Sequence, residues 1–270
     1  MERRHVALVT GGGRGIGRAI ALRAARAGAA VFVAARSQEA CIEVVDEIVD
    51  GGGTAWPLYL DVADFGMFDE VLAEARELAS AVGPIDWLVN NAGIAHSAPF
   101  LQHGRAGGED LYQKHLDVNF HGPRRLIEAL VPGMIERKYG RVVNVASSAG
   151  LQGYAYVAAY CASKHALVGY STSAARELAK TGVTMNLVCP HYVDSPMTAA
   201  SIERVVQKTQ RSEADARAFF AAQNPGGSLV TEDEVAETVL ELLTSDRNGA
   251  IAELVGGRAT KPREETVRWR

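Results

Sequence analysis

Six short runs rich in β-branched and apolar residues, at 5–10, 30–35, 55–60, 85–90, 141–146 and 183–189, are interleaved with longer stretches that carry helical apolar spacing. The helical stretches lie near 15–27, 38–50, 67–81, 109–137 and 160–180. Strands separated by helices cannot pair as tight hairpins, so this order predicts an α/β fold: a doubly wound parallel sheet with helices on both faces. Glycines at 28 and 182 precede the second and sixth strands, where helix-ending glycines belong. Thr231 and Glu234 form a capping box with Val230 and Val235 as its hydrophobic staple, which predicts a late helix over 232–244. A short strand at 250–255 is expected to close the sheet edge.

Nothing divides the chain into two bodies. Its 270 residues contain no repeat, low-complexity tract or Pro/Ser-rich seam, and 47% apolar with 22% charged residues is the composition of a chain that buries a large core. Residues 1–270 are therefore read as one domain. The irregular segment 191–228 is a candidate lid beyond the sheet, because ligands of such sheets bind past the carboxyl ends of the strands, and the charged tail 258–270 is expected to be loose. A net charge of −4 and a pI near 6.0 argue against nucleic acid and membrane surfaces as partners. No apolar run approaches the length of a membrane span or a signal peptide. Cys41, Cys161 and Cys189 are odd in number and widely spaced, so no metal site is expected and a reducing, cytoplasmic setting fits.

The first strand ends in TGGGRGIG, residues 10–17. Glycines there let pyrophosphate reach bare backbone N–H groups at the start of the next helix, where the dipole favours an anion. Thr10, Gly11, Gly13, Arg14, Gly15, Ile16 and Gly17 form this candidate cradle. About 20 residues on, an acid would hold the ribose hydroxyl of NAD. The chain has Ala34, Ala35 and Arg36 there instead. Arg36, with Arg14 from the turn, matches a 2′-phosphate and predicts NADP(H) in preference to NAD(H). The competing reading is that both are ordinary surface arginines.

Tyr160 and Lys164, in YCASK, are four residues apart in a helical stretch and share a face. A phenol with a pKa near 10 is a sluggish acid/base at neutral pH, and an ammonium one turn away stabilises the phenolate. Ser147 follows the 141–146 strand, thirteen residues before Tyr160. An ordinary helix-surface contact and a turn serine are the alternative readings of these residues.

TGGGRGIG, NNAG at 90–93, Ser147 with YCASK, and CPHYVDSPMT at 189–198 occur in one order and together resemble the short-chain dehydrogenase/reductase family. The likeness runs from residue 5 to about 257. It implies a single-domain Rossmann fold and a ketone/secondary alcohol oxidoreductase with a catalytic group of Asn119, Ser147, Tyr160 and Lys164. The resemblance gives Asn119 the role of seating a water that links Lys164 to solvent. The resemblance also implies cofactor contacts at Asp61, Val62, Asn91, Ala92, Gly93, Tyr160, Lys164, Pro190, Val193 and Ser195, and a homo-oligomer, tetramer or dimer, built across the 109–137 and 160–180 helices.

The chain departs from the family pattern at His191, where glycine is usual, and at Val255, where the family closes with an acid. His96, Leu151, Gln152, Tyr154, Tyr156, His191 and Tyr192 are the candidate substrate wall. Their aromatic character points to a cyclic or aromatic ketone, with a 3-oxoacyl or polyketide thioester as the second reading. Tyr154 and Tyr156 serving in core or subunit packing is the alternative. A dinucleotide-binding sensor without turnover is the competing class, although sensors are expected to lose the tyrosine or lysine that this chain retains.

Overall fold

The computed structural model describes residues 4–104, 110–258 and 266–270. Along the chain run β1 (Val6–Thr10), α1 (Gly15–Arg26), β2 (Ala30–Ala35), α2 (Gln38–Asp50), β3 (Thr54–Tyr59), α3 (Phe68–Leu78), β4 (Trp87–Asn90), α4 (Leu111–Leu116), α5 (Gly122–Glu136) and β5 (Gly140–Val145). They continue with α6 (Ala158–Leu178), β6 (Val183–Pro190), α7 (Pro196–Thr209), α8 (Glu213–Ala222), α9 (Glu232–Thr244), β7 (Ile251–Leu254) and β8 (Val267–Trp269).

The sheet order is β3-β2-β1-β4-β5-β6-β7-β8. Every pairing is parallel except β7 with β8. After β3 the chain returns to the middle of the sheet and lays β4 beside β1, so the loops after these two strands diverge. That switch point is where an open α/β sheet offers a crevice.

Strand alternation distributes the core between two faces. Ala7, Val9, Val31, Val33, Val143 and Val145 pack with α1, α2 and α9, while Leu8, Phe32, Leu88, Val142 and Met185 pack with α3, α5 and α6. The central strands are buried on both faces, which is why they read as continuous apolar runs.

Three elements differ from expectation. The 109–137 helix is interrupted: α4 and α5 are joined by a π-helical turn at Asp117–His121 that carries Asn119. Residues 266–270 of the tail expected to be loose are ordered on the sheet, with Val267 opposite Leu254 and Arg268 opposite Glu253; residues 259–265 of that tail lie outside the described residues. The edge strand is therefore β8 and not β7. The 191–228 segment contains α7 and α8, joined through Gln210 in the left-handed conformation and packed on a small cluster of Ile202, Ala216 and Phe220. The capping box at Thr231 and Glu234 is present in both directions. Gly28 has φ +90° directly after the C-cap of α1, whereas Gly182, with φ +84°, lies beyond the end of α6 in the turn into β6.

Candidate active site

The turn between β1 and α1 is built so tightly that side chains are excluded from it. A Cβ on Gly17 would lie 2.0 Å from the Gly11 carbonyl oxygen, and Gly11 and Gly15 adopt φ of +64° and +58°. The α1 N-terminus has no side-chain cap and no acid in its first turn. Its N–H groups therefore remain available to an anion, which fits a dinucleotide pyrophosphate. Thr10 ties this turn to the β4 loop: its hydroxyl accepts from the Asn91 and Ala92 N–H groups at 3.0 and 3.1 Å, while Asn91 Nδ2 donates to the Thr10 carbonyl at 3.0 Å. Asn91 thus holds the two switch-point loops together.

Glu232, at the start of α9, comes against Gly15. Burial and the neighbouring Asp194 push its carboxyl up, which favours the neutral form beside an anion. Arg36 follows β2 with its side chain 68% exposed, 4.0 Å from Asp61. Arg14 is also exposed. Val62 and Val193 are buried, the latter bridged to Val230, and Ser195 is the N-cap of α7.

Ser147, Tyr160, Lys164 and Asn119 come together at the carboxyl ends of β4 and β5. Lys164 is buried on α6; its Nζ donates to the Val145 carbonyl at 2.9 Å and lies 5.8 Å from the Tyr160 ring centre. Asn119 accepts from the Ile94 N–H at 2.9 Å and donates to the Ile94 carbonyl and to Ser163 Oγ, each at 3.0 Å. Ser163 in turn donates to the Tyr160 carbonyl at 2.8 Å. A Cβ placed on Gly93 would sit 3.2 Å from Asn119 Oδ1 and 3.6 Å from Lys164 Nζ, so glycine keeps open the space between these two groups.

The electrostatics correct one expectation. Burial pushes the Tyr160 phenol up to about 12, with the adjacent Ser147 hydroxyl acting in the opposite direction. Burial also brings Lys164 down to about 8. In the protein alone, desolvation outweighs any help from the lysine, and the phenol holds its proton more tightly than in water.

The short chain dehydrogenase family pattern matches residues 5–205. The chain belongs to the short-chain dehydrogenase family. It is 38% identical to the 3-oxoacyl-(acyl-carrier-protein) reductase FabG of Staphylococcus aureus over 92% of this chain and 93% of that one. It is 34% identical to the FabG of Escherichia coli over 89% and 90%. Among solved structures, a variant of actinorhodin polyketide ketoreductase with NADPH superposes with a TM-score of 0.86 at 33% identity, covering 97% of this chain and 99% of that one. This short-chain dehydrogenase is an NAD(P)-dependent oxidoreductase, and the expectation of NADP(H) agrees with the cofactor of that neighbour. No described helix is long and apolar enough to cross a membrane.

On the side expected to meet substrate, Tyr154, Tyr192 and Phe220 form an aromatic group, with ring centres 6.3 Å apart for the first pair and 4.9 Å for the second. Tyr154 also accepts from Gln152 Nε2 at 2.6 Å, and its hydroxyl lies 3.3 Å from His191 Nδ1. Tyr156 stands apart: it is 67% exposed, at φ +66°, with its carbonyl accepting from Ala98. His96 stacks edge-on against His115, 5.4 Å between ring centres, and His115 lies 6.2 Å from Tyr160.

Sequence reasoning missed His115, although it sits one turn before Asn119. It is neutral and fully used: Nδ1 donates to the Leu111 carbonyl at 2.6 Å, Nε2 accepts the His96 N–H at 3.0 Å, and burial keeps its pKa low. Ser163, inside YCASK, was also missed. Its only signal was adjacency to Lys164.

Proposed function

We propose that this short-chain dehydrogenase is an NADPH-dependent ketoreductase of 3-oxoacyl or polyketide thioesters. The observation that carries the substrate class is the likeness to 3-oxoacyl-(acyl-carrier-protein) reductases and to a polyketide ketoreductase over about nine-tenths or more of both chains. The aromatic wall that favoured a cyclic or aromatic ketone is weaker support, because Tyr156 is exposed and Tyr192 packs on Phe220. The sensor reading loses ground for a simple reason: all four members of the catalytic group are kept.

In this reading the Ser147 hydroxyl and the Tyr160 phenol both donate to the ketone oxygen and polarise the carbonyl. NADPH, when bound on the α1 N-terminus with Arg36 and Arg14 at its 2′-phosphate, supplies the hydride. The Tyr160 proton passes to the developing alkoxide. The phenol, raised to about 12, is protonated at neutral pH, as the reductive direction requires, but holds that proton tightly, so its release needs the charge beside it. Lys164, charged below about pH 8, stabilises the phenolate left behind. Asn119 and Ser163 hold the Tyr160 end of α6, and the space kept open by Gly93 accommodates a water that returns the proton from solvent. The α7–α8 segment acts as a lid over the acyl group, and the active form is a homo-oligomer across α5 and α6. The buried, unpaired thiols of Cys41, Cys161 and Cys189 fit a cytoplasmic setting.

The test is a panel of 3-oxoacyl thioesters, cyclic ketones and aryl ketones, followed by loss of nicotinamide absorbance with NADPH and NADH in parallel. Turnover of the thioesters with NADPH is the expected result. Turnover confined to the cyclic or aryl ketones overturns the substrate class.

A further inference from the structure

His191 stands where the family pattern has glycine, and its imidazole is almost completely enclosed, with a side-chain exposure of 3%. Its two nitrogens have different partners. Nε2 lies 3.0 Å from Glu253 Oε1 on β7, and Nδ1 lies 3.3 Å from the Tyr154 hydroxyl. The other oxygen of Glu253 pairs with Arg270, beyond β8. Burial alone would raise the Glu253 carboxyl, but His191 and Arg270 outweigh it and hold the group below its ordinary range, so it is ionised at neutral pH.

That charge fixes the direction of the bonds that Glu253 makes. An ionised Glu253 accepts from Nε2–H, and Nδ1, on the far side of the ring, is thereby held against the Tyr154 hydroxyl. The Tyr154 oxygen also accepts from Gln152 Nε2 at 2.6 Å and shares a hydrogen bond of 2.9 Å with Ser148 Oγ. Ser148 is the residue next to Ser147. A run of five side chains therefore connects β8 to the turn that carries the serine of the catalytic group.

We propose that His191 is a positioning residue of this enzyme: anchored on Glu253 and Arg270, it clamps Tyr154, and through it Ser148 and Gln152, into a fixed wall of the substrate site beside Ser147. The clamp sets how an acyl substrate is held, not the chemical step. Glycine at position 191 cannot make it, and neither can a sheet that ends at β7. The proposal rests on the ketoreductase reading for its substrate, but not for the clamp itself.

Steady-state kinetics and amide hydrogen exchange on His191→Ala, Tyr154→Phe, their double variant and His191→Gln test it. The two single variants are expected to raise KM for the carbonyl substrate about tenfold with little change in kcat, and the double variant to be no worse than either single one. His191→Gln keeps one donor and one acceptor and is expected to restore the wild-type KM. Residues 151–156 should exchange faster in His191→Ala than in wild type while β4 and β5 remain protected. Additive effects on KM, failure of the glutamine to rescue, or unchanged exchange over 151–156 would each overturn the clamp. An inactive wild-type protein would instead refute the ketoreductase reading, and the exchange measurement would still decide the clamp.

Discussion

Two ionisable residues carry the sharpest consequences at the residue scale. Lys164 is lowered from 10.5 to about 8 by burial, so its charged form is penalised in the folded protein. The cost is greatest below pH 8 and disappears as pH rises through 8 to 10.5, since over that window the unfolded chain binds the extra proton. Each pH unit corresponds to about 1.4 kcal/mol, giving a penalty of roughly 3 kcal/mol at neutral pH, partly offset by the bond to Val145. Lys164→Met is therefore expected to be inactive but no less stable than wild type at pH 7, with its relative stability declining between pH 8 and 10; denaturant titrations at each pH measure this. Arg36 is the second case. It is exposed and only 4.0 Å from Asp61, so its contribution to a 2′-phosphate is screened. Arg36→Ala should weaken NADPH binding about tenfold, or ~1.4 kcal/mol, and leave NADH binding unchanged, as read by quenching of protein fluorescence.

At the scale of elements, the β1–α1 turn shows what a short sequence motif determines. The glycine pattern indicated an anion cradle, and the structure shows why the turn takes glycine at positions 11, 15 and 17. Gly17 is required because its Cβ position falls 2.0 Å from the Gly11 carbonyl oxygen. Gly17→Ala should lower the melting temperature and abolish binding of NADPH and NADH alike, which distinguishes it from Arg36→Ala; thermal unfolding with and without each cofactor checks both points. The 55–60 run reads as a strand although it holds Pro57, and β3 tolerates the missing N–H because it lies at the sheet edge. The break between α4 and α5 was not legible. A π-turn is set by what Asn119 bonds to on the loop after β4, a contact some 25 residues away that helical periodicity does not encode.

For the whole molecule, the order of strands and helices was readable because each central strand is buried on both faces and each helix on one. What escaped was long-range. The stretch TVRWR is charged and short, and it becomes a strand only because β7 offers an open edge. Nothing in the 250–255 run signals a partner for Glu253, yet it pairs with His191 and Arg270. The Tyr160–Lys164 pairing was visible at i, i+4, but the balance between desolvation and charge was not, because burial is a property of the folded core. The proposed mechanism turns on Tyr160 delivering the proton in ketone reduction. The most direct measurement is the single-turnover rate of NADPH oxidation on mixing the enzyme–NADPH complex with a 3-oxoacyl thioester, for wild type and Tyr160→Phe. A fall of about 100-fold to 10,000-fold with NADPH affinity unchanged is expected; equal rates for the two proteins would rule out Tyr160 as the proton donor.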